Sequence, residues 1–233
     1  MIRTPQLNRR QVLQTGAIAA GVIATASGGA AIIGAAKPIP VAFLIDDNAT
    51  VIDFAGPWEV FQDAGVANIP GFEMFTVAPT KAPLRATGGL QIVPDYTLAD
   101  APPAKVIVIP AQKGGRTALP GEPKVAWLRA RFAQSDVIMS VCTGAFLLAR
   151  TGLLDGLNAT THHDFLADFR TAFPKVTVVE TQRFVDNGRL ITTAGLSSGI
   201  EGALHVVERY YGASAAQTVA YFIEYVPTQW RSA

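Results

Sequence analysis

The chain has 233 residues, 49% of them hydrophobic, with 19 Lys and Arg against 18 Asp and Glu. No basic stretch is dense enough to form a nucleic-acid surface, and that class of partner is excluded. The single cysteine, Cys142, excludes an internal disulfide and leaves one thiol to be accounted for.

The first 36 residues read as an export signal. They hold Arg3, Arg9 and Arg10, no acidic residue, and an uncharged stretch over 11–36 rich in Ala, Gly and Ile. Asn8-Arg9-Arg10-Gln11-Val12-Leu13-Gln14 is similar to a twin-arginine signal. Ala24-Thr25-Ala26 and Gly34-Ala35-Ala36 are small-residue cleavage sites, and no cysteine lies near them to accept a lipid. The expected location is therefore periplasmic or otherwise exported. The alternative is an uncleaved N-terminal anchor, since the apolar stretch is long enough to span a bilayer; membrane contact is expected only in that case.

Residues 37–233 carry 16 basic and 18 acidic residues, a net charge of about −2, and form a single expected domain with a sizeable core. In chain order, 40–45 (Pro-Val-Ala-Phe-Leu-Ile) predicts a buried first strand. Residues 53–64 predict a helix with Phe54, Trp58 and Phe61 on one face. Strands are predicted at 72–78 and 105–110, a helix at 125–134 and a strand at 137–141. Further strands follow at 176–179 and 189–193, the latter after an Asp186-Asn187-Gly188 turn. Helices at about 197–211 and 214–225 finish the pattern. Such alternation predicts an α/β fold with a doubly wound, mainly parallel sheet and helices on both faces. Ligands in such sheets bind at the carboxyl ends of the strands, where Asp46-Asp47, Ile109-Pro110-Ala111 and Cys142-Thr143 can converge.

The strand at 137–141 runs directly into Cys142, and helix formers leave it. Ser140 and Gly144 flank the cysteine at minus two and plus two, the spacing of a nucleophile elbow. A sulfur lifted off the sheet there faces the amides of a helix N-terminus, which predicts a lowered thiol pKa. The alternative is a small buried hydrophobe, the commoner use of a lone cysteine. Asp53 opens its helix, so its local reading is an N-cap. The histidines, His162, His163 and His205, lack metal-ligand spacing, and no metal is expected. Glu201, Glu208 and Arg209 read as ordinary helix charges. Tyr210, Tyr211, Tyr221, Phe222, Tyr225 and Trp230 read either as core or as an exposed patch suited to a partner.

Four blocks carry a family resemblance: Ile52-Asp53-Phe54-Ala55-Gly56-Pro57-Trp58-Glu59-Val60-Phe61; the strand ending in Ile109-Pro110; Ser140 to Gly156 with Ala159-Thr160-Thr161-His162; and Ile191-Thr192-Thr193-Ala194-Gly195-Leu196-Ser197-Ser198-Gly199-Ile200-Glu201. With them the chain resembles the ThiJ/PfpI superfamily, flavodoxin-like folds related to class I glutamine amidotransferases. Within it, isocyanide hydratases and the sensor domains of AraC-type regulators are most similar. By position the resemblance implies Cys142 as nucleophile and Asp53 as the acid that hydrogen-bonds its sulfur and donates a proton. Thr143, next in the chain, supplies an oxyanion amide. The opposing donor in the family comes from a Gly-Gly pair. Ala111 and Gln112 stand there instead, and Gln112 is expected to alter which substrate fits. Gly144 and His162 complete the expected pocket, with a structural hydrogen-bonding role for His162.

The implied function is a cofactor-free, cysteine-dependent enzyme acting on a small-molecule substrate, most concretely an isocyanide hydrated to an N-substituted formamide. The implied assembly is a homodimer. The alternative is a non-enzymatic ligand-binding or cysteine-redox stress domain. The helix-turn-helix region that follows this domain in AraC-type regulators is not expected here. A peptidase is not expected either, since peptidases of the superfamily carry His where this chain has Thr143.

Overall fold

The computed structural model of the protein describes residues 37–119 and 121–225; the proposed signal and Trp230 lie outside the described residues. The strands are β1 (Ile39–Leu44), β2 (Phe72–Ala78), β3 (Leu84–Arg85), β4 (Gln91–Ile92), β5 (Tyr96–Thr97), β6 (Val106–Ile109), β7 (Val137–Val141), β8 (Asn158–Ala159), β9 (Thr177–Val178), β10 (Phe184–Asp186) and β11 (Leu190–Thr193). The helices are α1 (Val51–Gln62), α2 (Pro123–Phe132), α3 (Gly144–Arg150), α4 (Leu166–Ala172), α5 (Ser198–Tyr211) and α6 (Ala213–Phe222). Among these helices none is long and apolar enough to cross a membrane.

Seven strands form the central sheet in the order β10-β11-β7-β6-β1-β2-β5. Every neighbouring pair is parallel except β10 with β11. That exception follows from the Asp186-Asn187-Gly188 turn. Gly188 takes φ 80° and its N–H donates to Asp186 Oδ1 at 2.6 Å, closing a hairpin. The parallel pairs need crossovers, and these supply the helices on both faces.

Side chains of β1 alternate between the two faces, as a strand buried on both sides requires. Val41, Phe43 and Ile45 join the core beneath α1, α5 and α6, with Val60, Phe61 and Leu204. Ala42 and Leu44 join the opposite core under α2, α3 and α4, with Leu128, Leu147 and Phe169. Each fully buried Leu or Phe contributes about 2 kcal/mol, and both layers are continuous along the sheet.

Several boundaries differ from the sequence expectation. Helix α1 begins two residues earlier than predicted, with Thr50 as its N-cap, so Asp53 lies in the first turn and its N–H donates to the Thr50 carbonyl. The N-cap reading of Asp53 is thereby corrected, and its carboxyl is free for another task. Helix α2 starts at Pro123, where a missing N–H costs nothing. The short strands β3, β4, β5, β8 and β10 have too few residues for a period-2 signal, and neither they nor α4 was expected.

The terminal aromatics divide between the two readings. Tyr210 and Tyr211 pack edge-on against Phe72 at 6.0 and 5.6 Å. Their hydroxyls donate to Asp136 and to the Gly71 carbonyl. Tyr221 and Phe222 remain 86% and 55% exposed. Glu201 is not a surface charge as expected: it is buried, pairs with Arg183 and accepts a hydrogen bond from Tyr225. His205 pairs with Asp186 at 2.7 Å, in keeping with a structural role.

The elbow depends on one close approach. A Cβ on residue 144 would lie 2.1 Å from the Ile109 carbonyl oxygen, so only glycine lets the start of α3 cross the end of β6. Gly144→Ala is expected to destabilise the fold by about 2 kcal/mol, the usual cost of forced overpacking. Denaturant unfolding checks this; an unchanged midpoint would mean that the two backbones separate freely.

Candidate active site

Strand β7 delivers Cys142 to the carboxyl edge of the sheet, and α3 leaves it. Cys142 itself adopts φ 57°, a left-handed conformation rare outside glycine. Its N–H donates to the Ala194 carbonyl at 2.9 Å, and its own carbonyl accepts from the Thr161 hydroxyl at 2.8 Å. The thiol is only 6% exposed, and Thr143 beside it is 8% exposed.

Helix α1 brings Asp53 to the same point. Its carboxyl is completely buried, and Oδ2 accepts from the Ala111 N–H at 3.1 Å. The Ala111 amide therefore orients the acid. Oδ1 has no nitrogen or oxygen partner at full hydrogen-bond geometry. Weaker hydrogen bonding from the Cys142 thiol and the Leu196 N–H acts on the same carboxyl. Burial dominates, and it raises the Asp53 pKa to about 6 against these three donors.

Burial also pushes the Cys142 thiol up, and the negative charge of Asp53 adds to it, to about 12. The Thr143 and Leu196 amides pull the other way without prevailing. This corrects the lowered thiol pKa expected from the helix N-terminus alone. Helix α3 has only seven residues, and removing the sulfur from water outweighs its first amides. The carboxyl therefore gives up its proton well before the thiol, and a thiolate forms in the neutral range only where the carboxyl takes the thiol's proton.

The remaining expected residues have distinct placements. The Gln112 side chain turns inward and donates to the Leu44 carbonyl at 3.0 Å, leaving its buried Oε1 without a partner. Gly144 sits under the elbow. The ring of His162 lies against Gly195, where a Cβ would come 2.2 Å from His162 Cδ2, and its Nδ1 accepts from the Asp164 N–H. His162, His163 and Asp164 bring three potential ligand atoms within 4.8 Å. The two rings are stacked at 4.3 Å and 26°, however, so their lone pairs run side by side instead of converging. This is a capped turn. A separate cleft of about 290 Å³ lies at the same end of the sheet, lined by Asp46, Thr117, Ala118, Pro123 and Lys124 among others. Neither Cys142 nor Asp53 lines it, and its Lys124 ammonium is already bound by Asp46 and the Lys113 carbonyl.

The description "DJ-1/PfpI family" matches residues 40–209, which include Asp53, the Ala111 turn, the elbow and Leu196. The chain belongs to the DJ-1/PfpI family. Among its relatives, an isonitrile hydratase of Pseudomonas putida is 31% identical over 193 residues, covering 81% of this chain and 79% of that protein. An HTH-type transcriptional regulator of Pseudomonas aeruginosa is 29% identical over 187 residues, 79% of this chain but only 50% of the regulator. A ThiJ/PfpI family protein from Pseudomonas syringae superposes with a TM-score of 0.72 at 25% identity, covering 88% of this chain and 83% of that one. The doubly wound, mainly parallel sheet inferred from strand alternation is thus the arrangement of the DJ-1/PfpI fold, consistent with the flavodoxin-like fold that the family resemblance implied.

Two contributors were not assigned from the sequence. Leu196, another left-handed non-glycine residue at φ 56°, turns its N–H to both Asp53 and Cys142. Thr161 holds the Cys142 carbonyl. The small-residue run Ala194-Gly195-Leu196-Ser197-Ser198-Gly199 leading into α5 was the available signal for the first. For the second, the family block Ala159-Thr160-Thr161-His162 marked the position, but nothing in the sequence showed that its hydroxyl would reach the Cys142 carbonyl.

The paired titration makes a measurable pH profile. Alkylation of Cys142 by iodoacetamide is expected to rise through about pH 6 and then stay flat to at least about pH 9, since the pair keeps one proton throughout. Asp53→Asn should abolish the plateau and leave one ordinary thiol step. A wild-type rise centred near the free-cysteine value of about 8.5 would rule out the shared proton.

Proposed function

We propose that the protein is a cysteine-dependent enzyme that hydrates small isonitriles to N-substituted formamides. The observation that carries this reading is a buried carboxyl with a raised pKa beside the only thiol of the chain, in a protein 31% identical to an isonitrile hydratase. An isonitrile presents a terminal carbon that is first attacked by a nucleophile and then protonated, so it needs a thiolate and an acid side by side. In the reactive form the proton is on Asp53 and the charge on Cys142. The sulfur adds to the terminal carbon while Asp53 protonates that carbon, giving a thioimidate. Asp53, now ionised, takes a proton from water as the water oxygen adds to the thioimidate carbon and passes that proton to the nitrogen; the adduct's remaining hydroxyl proton returns to Asp53 as the carbonyl forms. Collapse expels the sulfur as thiolate and releases the formamide. The nearly closed surroundings of Cys142 suit a slim, linear reacting group. No cofactor enters this chemistry.

A purified chain should turn over small alkyl isonitriles. Cys142→Ala should abolish the reaction, and Asp53→Asn should lower kcat by about 10²- to 10⁴-fold, the range for loss of a general acid. Full activity of Asp53→Asn would refute the mechanism. The similarity to transcriptional regulators favours a second reading, a ligand-binding or redox-responsive domain. Absence of turnover together with stoichiometric peroxide oxidation of Cys142 would select it.

The twin-arginine motif supports export of the folded enzyme, and the exposed Val66, Tyr221 and Phe222 on neighbouring segments support a homodimer. The periplasmic fraction should therefore yield a shortened chain whose mass by light scattering is that of two copies. Replacing Arg9 and Arg10 together by Lys should retain the full-length precursor in the cytoplasm. Unimpaired export of that variant, or a single-copy mass, would remove the corresponding part of the proposal.

A further inference from the structure

The Cys142–Thr143 peptide is trans, as are all described peptide bonds. Its carbonyl and its N–H are therefore fixed in one plane, pointing in opposite directions. The N–H is that of Thr143, one of the two amides that stabilise negative charge on the sulfur. The carbonyl is that of Cys142, and the side-chain group that grips it is the Thr161 hydroxyl, at 2.8 Å. Among the described residues, the one other hydrogen bond to this carbonyl comes from the Ala145 N–H at a long 3.4 Å, as expected of a helix that is just beginning.

Thr161 is itself firmly held. It is 1% exposed, and the preceding residue, Thr160, donates its N–H to the Thr192 hydroxyl on β11 at 2.9 Å. Strand β11 in turn runs beside β7, with Thr192 opposite Ser140 and Thr193 opposite Val141. The grip on Cys142 is thus anchored to the strand adjoining the one that carries the nucleophile.

We propose that Thr161 is a positioning residue for the nucleophile: by donating to the Cys142 carbonyl it sets the rotation of the Cys142–Thr143 peptide and so aims the Thr143 N–H at the sulfur. Without that bond the carbonyl of the left-handed Cys142 keeps only the long Ala145 N–H bond at 3.4 Å, and the plane can tilt. A tilt turns the Thr143 N–H away from the thiolate and from any oxyanion formed next to it. The proposal rests on Cys142 being the nucleophile, but not on the identity of the substrate.

The test reads the thiol directly, and the single cysteine of the 233-residue chain makes the alkylation unambiguous. Thr161→Val keeps the shape and removes the donor; Thr161→Ser keeps the donor. At plateau pH and well below the melting temperature, Thr161→Val is expected to slow iodoacetamide alkylation about tenfold, and Thr161→Ser to stay within about twofold of wild type. With an isonitrile as substrate, Thr161→Val should lower kcat with little change in KM. If the valine variant does not fold, Thr161→Ala, which adds no bulk, reads the same rate. A folded Thr161→Val or Thr161→Ala protein that alkylates at the wild-type rate, even with a lowered melting temperature, would overturn the proposal and leave Thr161 a packing residue. Failure of the wild-type chain to hydrate isonitriles would sink the hydratase reading while leaving the alkylation comparison intact.

Discussion

The left-handed backbone of Cys142 is the constraint around which the candidate site is arranged. An L-residue at φ 57° crowds its Cβ against its own carbonyl, at a cost of about 1–2 kcal/mol. In return the chain turns from the direction of β7 to that of α3 within a single residue, and the sulfur stands off the sheet edge. The conformation persists because it is held from two sides: Ala194, just beyond β11, takes the Cys142 N–H, and Thr161, beyond β8, grips the carbonyl. Each such bond contributes about 1 kcal/mol net, so the two together match the strain. The glycine at 144 is the steric counterpart, since the turn has room only where the Ile109 carbonyl meets no side chain.

Burial then decides the chemistry. An aspartate in water would be ionised at neutral pH and useless as a proton donor. Enclosing Asp53 completely, in the first turn of α1 and against the Ala111 turn, lifts it to about 6, where it can both give and take a proton. The same enclosure works against the thiolate, and the Thr143 and Leu196 amides offset only part of that loss. The Asp53 carboxyl and the Cys142 thiol are therefore not two independently tuned groups. Burial raises both, and the carboxylate's charge further disfavours a second negative charge on the sulfur.

Much of the architecture was legible from local pattern. The β-branched run 137–141 followed by helix formers marked the elbow, and the glycine two residues after the cysteine marked the close crossing. The apolar run of β1 and the Asp186-Asn187-Gly188 turn were equally plain, because burial on two faces and a positive φ each demand particular residue types. The short strands β3, β4, β5, β8 and β10, and helix α4, were not legible. They are stabilised by what they pack against, as Phe169 of α4 is by Phe146 and Phe173, and not by a periodicity of their own.

The site itself divides along the same line. The sequence by itself determined that one thiol stands at the end of a buried strand, that an acid and a second strand end can reach it, and that no disulfide competes for it. Only the tertiary structure decided that Asp53 is buried instead of capping its helix, that the Ala111 N–H bonds its carboxyl, and that the Leu196 N–H and the Thr161 hydroxyl reach the sulfur and the Cys142 carbonyl. It also reversed the direction of the thiol's pKa. Dipole direction and residue spacing are local properties that a sequence carries. Desolvation and through-space charge are set by segments far apart along the chain, here α1, the loop after β6, the turn before α5 and the loop after β8, and they exist only once those segments have closed around Cys142.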